Sequence, residues 1–183
     1  MKKLILLSII LFMVYICRGY TFQNEPNTFR GIKWGSSLAN IKNMFQIEPP
    51  DNIGISCYKR KGDKLKIGEA LLKSIKYYAF KDKFYFVDIE FNGINNFLIL
   101  KKIFFQLYGL PQYNNDNFLA KSYIWKGVKV KISLIYFKTT EVGSLTYEYL
   151  PILEEKYNEI DRLSKKRQQE RINKLRKKLG DEL

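Results

Sequence analysis

The sequence predicts an α+β fold: two αβββ units form one antiparallel sheet with both helices packed on one face, and a long C-terminal helix follows. Three observations support this. Residues 73–91 alternate apolar and polar positions around a short turn, two stretches of helical spacing each precede strand-like runs, and a charged stretch after Pro151 again has helical spacing. Neither unit buries much apolar surface alone, so one shared sheet is the arrangement that forms a core.

The central hairpin, residues 73–91, defines the expected strand pairing. A turn over Lys81-Asp82-Lys83 pairs, on an aliphatic-rich face, Ile75 with Ile89, Tyr77 with Val87 and Ala79 with Tyr85. The other face then has Lys76 opposite Asp88, a cross-strand pair of opposite charge. A slip of one residue would break both matches, because side chains alternate between faces.

The first predicted unit begins with a helix before this hairpin. Ser36 or Ser37 is a suitable N-cap. The apolar residues that follow at helical spacing are Leu38, Ile41, Met44 and Phe45. Prolines within residues 48–52 end the helix. Ile53–Tyr58 is then a strand, and Lys59–Lys66 is a basic loop.

The second predicted unit begins with the helix Ile94–Tyr108. Gly109 suits a left-handed C-terminal cap, and Pro111 follows as a stop. Residues 112–117 read as a polar loop. The strands expected after it are Tyr123–Trp125, Val128–Phe137 and Leu145–Tyr149.

Residues 1–19 have the three parts of a secretory signal peptide. Lysines follow Met1, Leu4–Ile16 is an uncharged, mostly apolar run of 13, and Cys17-Arg18-Gly19 precedes a cleavage point at Tyr20. A membrane span needs roughly 20 residues. We therefore expect export with cleavage, and no integral membrane span in the mature chain.

The rest of the chain divides into three parts. Residues 20–28 are a flexible lead, residues 29–150 the α+β domain, and residues 151–183 a basic C-terminal helix. The net charge is +14, of which +11 stays when residues 1–19 are removed. A basic balance favours acidic partners such as phosphate polymers or anionic lipid surfaces, or it serves solubility alone.

Other cellular locations of the protein are also compatible with the sequence. An uncleaved signal would anchor the chain in a membrane. Lipidation of Cys17 would also do so, although Val14-Tyr15-Ile16 lacks the small residue that normally precedes a lipidated cysteine. In a eukaryote, the final Gly180-Asp181-Glu182-Leu183 would indicate the ER lumen, since it resembles a K-D-E-L retrieval signal.

Short motifs resemble a family of exported proteins. Phe29-Arg30-Gly31-Ile32-Lys33-Trp34-Gly35-Ser36 looks like the F-x-G-I-x-W-G start of small exported bacterial proteins of unknown function. Tyr108-Gly109-Leu110-Pro111 and Tyr123-Ile124-Trp125 are similar to later parts of that pattern. The doubled αβββ order is similar to the architecture of the β-lactamase inhibitory protein and related envelope modules. The resemblance implies an exported, non-enzymatic module and supplies no catalytic residues.

Aromatic side chains of the central hairpin are the first candidate binding site. Tyr78, Phe80, Phe84 and Phe86 are expected near the turn, on the face opposite to the aliphatic residues. Exposed together, they would form a patch large enough to mark a partner site for another envelope protein. The alternative is that the C-terminal helix or a neighbouring strand covers them.

Basic residues of the C-terminal helix are the second candidate. Residues 164–171, SKKRQQER, contain no apolar side chain, so we expect the helix to leave the body after Leu163. The candidate residues are Lys165, Lys166, Arg167 and Arg171. They indicate a solvated projection, or a helix that binds a partner or an anionic surface. Nucleic acid is not an expected partner, because no recognised binding motif is present and export argues against it.

The sequence lacks what most enzyme sites need. It has no histidine, its two cysteines have no C-x-x-C spacing, and no cofactor, metal or nucleophile motif is present. We therefore expect no catalytic residues, no metal site and no cofactor. An alternative is a carboxylate-based hydrolase that uses Asp88 and Glu90, which a strand would place about 7 Å apart on one face. A charge ladder with Lys76 is the competing interpretation.

These features predict an exported, non-enzymatic binding or scaffold module of the bacterial cell envelope, located in the periplasm or outside the cell. The alternatives are a basic tether that holds anionic surfaces through the C-terminal helix, and the carboxylate-based hydrolase.

Overall fold

An eight-stranded antiparallel sheet forms the centre of the fold. The computed structural model describes residues 22–181, so the predicted signal peptide, Cys17 and the last two residues of the tail lie outside the described residues. Within this range the elements are β1 (Thr28–Phe29), β2 (Ile32–Lys33), β3 (Met44–Glu48), β4 (Ile55–Arg60), β5 (Lys66–Ile67), β6 (Ala70–Leu71), β7 (Ser74–Phe80), β8 (Lys83–Asn92), α1 (Ile94–Tyr108), β9 (Tyr113–Asp116), β10 (Ala120–Lys126), β11 (Val130–Phe137), β12 (Val142–Tyr149) and α2 (Leu150–Asp181).

The strand order shows how the two halves of the chain share the sheet. The order is β3-β4-β7-β8-β12-β11-β10-β9, and all neighbours are antiparallel. After α1 the chain enters at the far edge with β9 and returns strand by strand until β12 pairs with β8. The predicted α+β class with an antiparallel sheet and a long C-terminal helix is confirmed.

The central hairpin has the predicted register except next to its turn. Ile75 pairs with Ile89, Tyr77 with Val87 and Lys76 with Asp88, which confirms those pairings. The turn, however, has two residues rather than three: Lys81 and Asp82, with φ of 47° and 64°. Positive φ at both positions is the geometry of the tight turns that match strand twist.

A β-bulge restores the register beyond this shorter turn. Ala79 pairs with Phe84 and not with Tyr85, and the register shifts between Tyr78 and Ala79. The extra residue, Tyr85, changes which face its neighbours take. Phe84 therefore points into the main core, where its side chain is fully buried.

The predicted first helix, from Ser36 or Ser37 to Phe45, is wrong. Residues 38–43 form short turns closed by bonds from Ile41 N to Leu38 O and from Met44 N to Ile41 O. Asn43 has a φ of 65°, which interrupts any helix there, and Met44–Glu48 then pairs as an edge strand with β4. The doubled αβββ order is therefore not confirmed.

The helix α1 packs on one face of the sheet, as predicted. Its buried side chains are Phe97, Leu100, Phe104 and Tyr108. They join a core that includes Tyr77, Val87, Ile132 and Leu134 from the central strands. Gly109 ends the helix with a φ of 75°, and Trp125 donates from Nε1 to the Gly109 carbonyl at 2.9 Å. The second half of the chain thus has the expected helix and the three expected strands. The prediction of a polar loop over residues 112–117 is wrong, because Tyr113–Asp116 pairs with β10 as an edge strand.

The N-terminal lead is attached to the domain from Phe22 onward, in contrast to the flexible lead expected for residues 20–28. The Phe22 ring meets Tyr108 edge-on at 5.2 Å, and Gln23 N donates to Tyr108 O at 3.2 Å. The Glu25 carboxylate accepts the backbone N–H groups of residues 128–130 and so closes the β10–β11 turn.

The opposite face of the sheet is partly exposed. Lys76, Asp88, Ser144 and Thr146 lie there on the central strands with intermediate exposure. A small second cluster, built from Phe80, Tyr85 and Ile152, packs where α2 meets the end of the β7–β8 hairpin. This cluster fixes the starting point of the long helix.

Candidate functional site

The first half of α2 docks on the turn of the central hairpin. Ile152 is buried against Phe80 and Tyr85. Lys83 Nζ lies 2.7 Å from Glu155 Oε2, and Lys81 Nζ lies 3.4 Å from Glu159 Oε1. Apolar contact and ion pairs therefore orient the helix relative to the sheet.

Two further groups in this half have shifted pKa values. The Lys156 ammonium lies 5.3 Å from the Tyr85 ring centroid and 4.9 Å from that of Tyr157, and burial lowers its pKa. Hydrogen bonds from Arg162 and Lys81 lower the pKa of Glu159 to about 2. Glu159 is therefore ionised at neutral pH and connects α2 to the hairpin turn.

The second half of α2 projects from the domain. All described side chains from Ser164 to Leu179 are exposed. At 1.5 Å per residue this stretch is about 24 Å long. Residues 164–180 carry eight Lys or Arg residues and Glu170 as their only acid. The charge of the helix thus changes from acidic in its docked half to strongly basic in its projecting half.

The four predicted basic residues lie on this projecting half. Lys165 pairs with Asp161 at 2.6 Å. Lys166, Arg167 and Arg171 make no ion pair with any residue in the described range 22–181. Three cations near the start of the projection are therefore available to an anionic partner.

A narrow apolar stripe runs along the same half. Ile172, Leu175 and Leu179 are 37%, 61% and 60% exposed. At 100° per residue they fall within one narrow sector of the helix, with Arg171 on one side and Arg176 on the other. A surface that accepts this stripe would also meet the flanking cations.

A groove separates the start of the projection from the β3–β4 loop. It has a volume of about 580 Å³ and is lined by Ile53 on the loop and by Ile160, Leu163, Arg167 and Arg171 on α2. Asp51 Oδ1 holds the loop by accepting the N–H groups of Ile53 and Ile55 at 3.0 and 2.8 Å. The sequence predicted Ile53 at the start of a strand. No local pattern indicated that this residue would lie across a groove from α2.

The four hairpin aromatics do not form one exposed patch. Tyr78 and Phe86 share the partly exposed face, with ring centroids 5.3 Å apart. Phe80 is buried against Ile152 of α2. The C-terminal helix therefore covers this residue, which was the alternative to an exposed patch. Phe84 stacks beneath Trp34 at 4.7 Å on the α1 side, because the bulge turns it inward.

The carboxylates proposed for a hydrolase each have polar partners. Asp88 lies opposite Lys76 and accepts a hydrogen bond from Ser144 Oγ at 3.4 Å, and burial raises its pKa despite both contacts. Glu90 pairs with Lys73. This arrangement matches the charge-ladder interpretation.

Neither a metal cluster nor a membrane span is found in the described chain. Among residues 22–181, no three His, Cys, Asp or Glu side chains are placed to hold a metal ion. No helix in the same range is both long and apolar enough to cross a membrane. Comparison of the chain with known protein families, curated proteins and solved structures found no match.

Proposed function

We propose that the chain is an exported, non-enzymatic binding module of the bacterial cell envelope, and that the projecting half of α2 is its binding element. The observation that carries this proposal is the charge separation along α2. Four acids and two cations lie in residues 150–163, whereas eight cations and one acid lie in residues 164–180. The acidic half is docked, and the basic half extends into solvent.

The ligand with the matching chemistry is an anionic phospholipid surface. Each Lys or Arg close to such a surface contributes about 1 kcal/mol. The stripe of Ile172, Leu175 and Leu179 favours lipid over a free phosphate polymer, because a bilayer can also bury aliphatic side chains. Three aliphatic residues without a Trp or Phe are consistent with shallow and reversible attachment.

The docked half gives the binding element a defined direction. Glu155 and Glu159 hold the helix to Lys83 and Lys81 at the hairpin turn. The basic half therefore extends from one end of the sheet, and the partly exposed sheet face stays accessible while the helix is bound.

Sedimentation with lipid vesicles tests this function. The chain from Tyr20 onward is mixed with phosphatidylglycerol-containing vesicles or with neutral phosphatidylcholine vesicles. We expect binding to the anionic vesicles alone, weakened by salt, since surface charges are screened within about 10 Å at 0.1 M. The variant Lys165→Glu, Lys166→Glu, Arg167→Glu, Arg171→Glu should lose this binding.

The matched control reverses the same number of charges on the body. Lys42, Lys64, Lys102 and Lys126 are exposed and make no ion pair within residues 22–181. Their replacement by Glu should leave most of the binding in place. Equal loss in both variants would show that net charge acts without a site, and binding to neutral vesicles would contradict the proposal.

A protein partner is the second candidate, favoured by Tyr78 and Phe86 on the partly exposed sheet face. Another envelope protein would contact this pair rather than α2. Replacement of both residues by Ser should abolish such an interaction and leave vesicle binding unchanged, so the two functions are separable in one set of variants.

A further inference from the structure

A second concave site lies at the start of β7, away from the hairpin turn on which α2 docks. Its volume is about 300 Å³, and it forms where the β4–β5 loop meets the start of β3 and of β7. Ligand pockets in proteins usually measure roughly 300–1,000 Å³. This pocket is therefore of a size that suits a small ligand.

The lining of this pocket combines apolar and basic side chains. Its apolar residues are Phe45, Leu65 and Ile75, and its basic residues include Lys59, Arg60 and Lys61. Phe45 and Leu65 are 48% and 45% exposed. Exposed apolar groups directly beside several cations are the chemistry that an amphiphilic anion would satisfy.

Hydrogen bonds of the backbone hold the loop in place. Lys61 N donates to Asn43 O at 2.8 Å, and Asp63 N donates to Arg60 O at 3.2 Å. Gly62 takes a φ of 75°, which a residue with a side chain rarely adopts. Lys61 thus lies on a defined turn, directly after Lys59 and Arg60 at the end of β4.

Asp63, the acid among the lining residues, and the nearby Glu90 already have cationic partners. Asp63 accepts hydrogen bonds from Arg30 and from the buried Tyr77 hydroxyl. Glu90 pairs with Lys73, which also lines the pocket. Within residues 22–181, Lys59, Arg60 and Lys61 make no ion pair, so the pocket has an excess of positive charge.

We propose that this pocket binds a small amphiphilic anion, an alkyl chain that carries a phosphate or carboxylate head. Arg60 pairs with the head group, supported by Lys59 and Lys61, because a guanidinium matches two anionic oxygens at once. The alkyl chain lies over the buried Ile75 and covers Phe45 and Leu65, and so removes the exposed apolar surface of those two residues from water. This site is separate from α2 and from the proposed attachment to lipid.

The test is titration of the chain from Tyr20 onward with octyl phosphate, followed by amide chemical shifts. The expected shifts lie in residues 59–65 and 73–75. Octanoate should bind at the same residues, inorganic phosphate should bind more weakly, and the neutral octyl glucoside should not bind. Binding of inorganic phosphate as tight as that of octyl phosphate, or no binding of octyl phosphate at millimolar concentration, would overturn the proposal.

Two substitutions, one at the end of β4 and one in the loop that follows, make the test specific. Arg60→Gln should weaken octyl phosphate binding about tenfold or more, because it removes the charged hydrogen bonds to the head group. Lys64→Gln removes the same charge from an exposed residue outside the pocket and should change the affinity less than about twofold. Equal losses in both variants would overturn the assignment.

Two additional variants test whether a loss of binding comes from unfolding or from α2 and not from the pocket. Leu65→Trp should fill the pocket and reduce binding while the protein keeps its thermal stability, because Leu65 is largely exposed. The variant with four reversed charges in α2 should bind octyl phosphate as the natural sequence does. Loss of binding in that variant would place the site on α2 instead.

Discussion

The two halves of α2 belong to one helix but differ in what surrounds them. Residues 150–163 contain the buried Ile152 and the ion-paired Glu155 and Glu159. Residues 164–179 have exposed side chains wherever these are described, and cations predominate among them. The position of the first half is set by particular partners at the hairpin turn. The proposed binding by the second half is set by its many cations.

We therefore expect the docked half to contribute to the stability of the fold and the projecting half to contribute to binding. Loss of a buried contact in the docked half should destabilise the protein without changing the charge of the projecting half. Loss of a side chain in the projecting half should leave stability unchanged and weaken binding. Matched substitutions in the two halves therefore measure the two contributions separately.

Stability should differ most between variants in which one isoleucine of each half is shortened to alanine. Ile152→Ala should lower the free energy of unfolding by about 2–5 kcal/mol, because it removes buried methyl groups and leaves a cavity. Ile172→Ala, at an exposed position, should change it by about 0.5 kcal/mol or less. Urea denaturation of both variants measures the difference, and equal effects would show that the second half is also packed.

A smaller effect is expected from the pH dependence of docking. The pKa of Glu159 is lowered from 4.5 to about 2, so this group stabilises the folded form above its unfolded pKa. That contribution should disappear as the pH falls from 4.5 to about 2. The protection of amides in residues 152–163, taken as the exchange rate relative to the intrinsic rate at each pH, should fall over this range in the natural sequence.

Two variants distinguish Glu159 from other acids. In Glu159→Gln the acid-dependent change in exchange should be smaller. In Glu170→Gln, which alters the single acid of the projecting half, the change should match that of the natural sequence. An unchanged pH profile in Glu159→Gln would contradict the assigned contacts with Arg162 and Lys81.

The sequence predicted elements well where one local signal dominates. Alternating side chains placed Ile75 opposite Ile89 and Tyr77 opposite Val87, and Gly109 marked the end of α1. It failed where pairing with a distant strand decides the outcome. Residues 36–45 have helical spacing, yet Met44–Glu48 pairs with β4, and the polar β9 lies at an edge where no alternation is required.

The candidate site was predicted in part for related reasons. A long run without apolar residues indicated that α2 would project after Leu163, and the structure shows it exposed from there. The bulge at Tyr85 adds one residue near the turn and so places the Phe84 side chain on the opposite face of the sheet. Strict alternation of side chains along a strand does not predict this change. The packing of α2 on Phe80 and its position across the groove from Ile53 depend on the angle at which the helix leaves β12.

The most direct measurement compares one position in each half of α2 during vesicle binding. Tyr157 and Leu175 are 58% and 61% exposed and lie 18 residues apart, which is about five helical turns and hence the same side of the helix. Each is changed to Cys in turn and labelled with a polarity-sensitive fluorophore. The remaining Cys57 is buried.

Anionic vesicles should shift the emission of the label at Leu175→Cys to the blue, because the basic half contacts the bilayer. The label at Tyr157→Cys should shift little, since the acids around it are repelled by the same surface. Neutral vesicles should shift neither. Equal shifts at both positions, or a shift at Tyr157→Cys alone, would contradict the division of α2 into a docked half and a binding half.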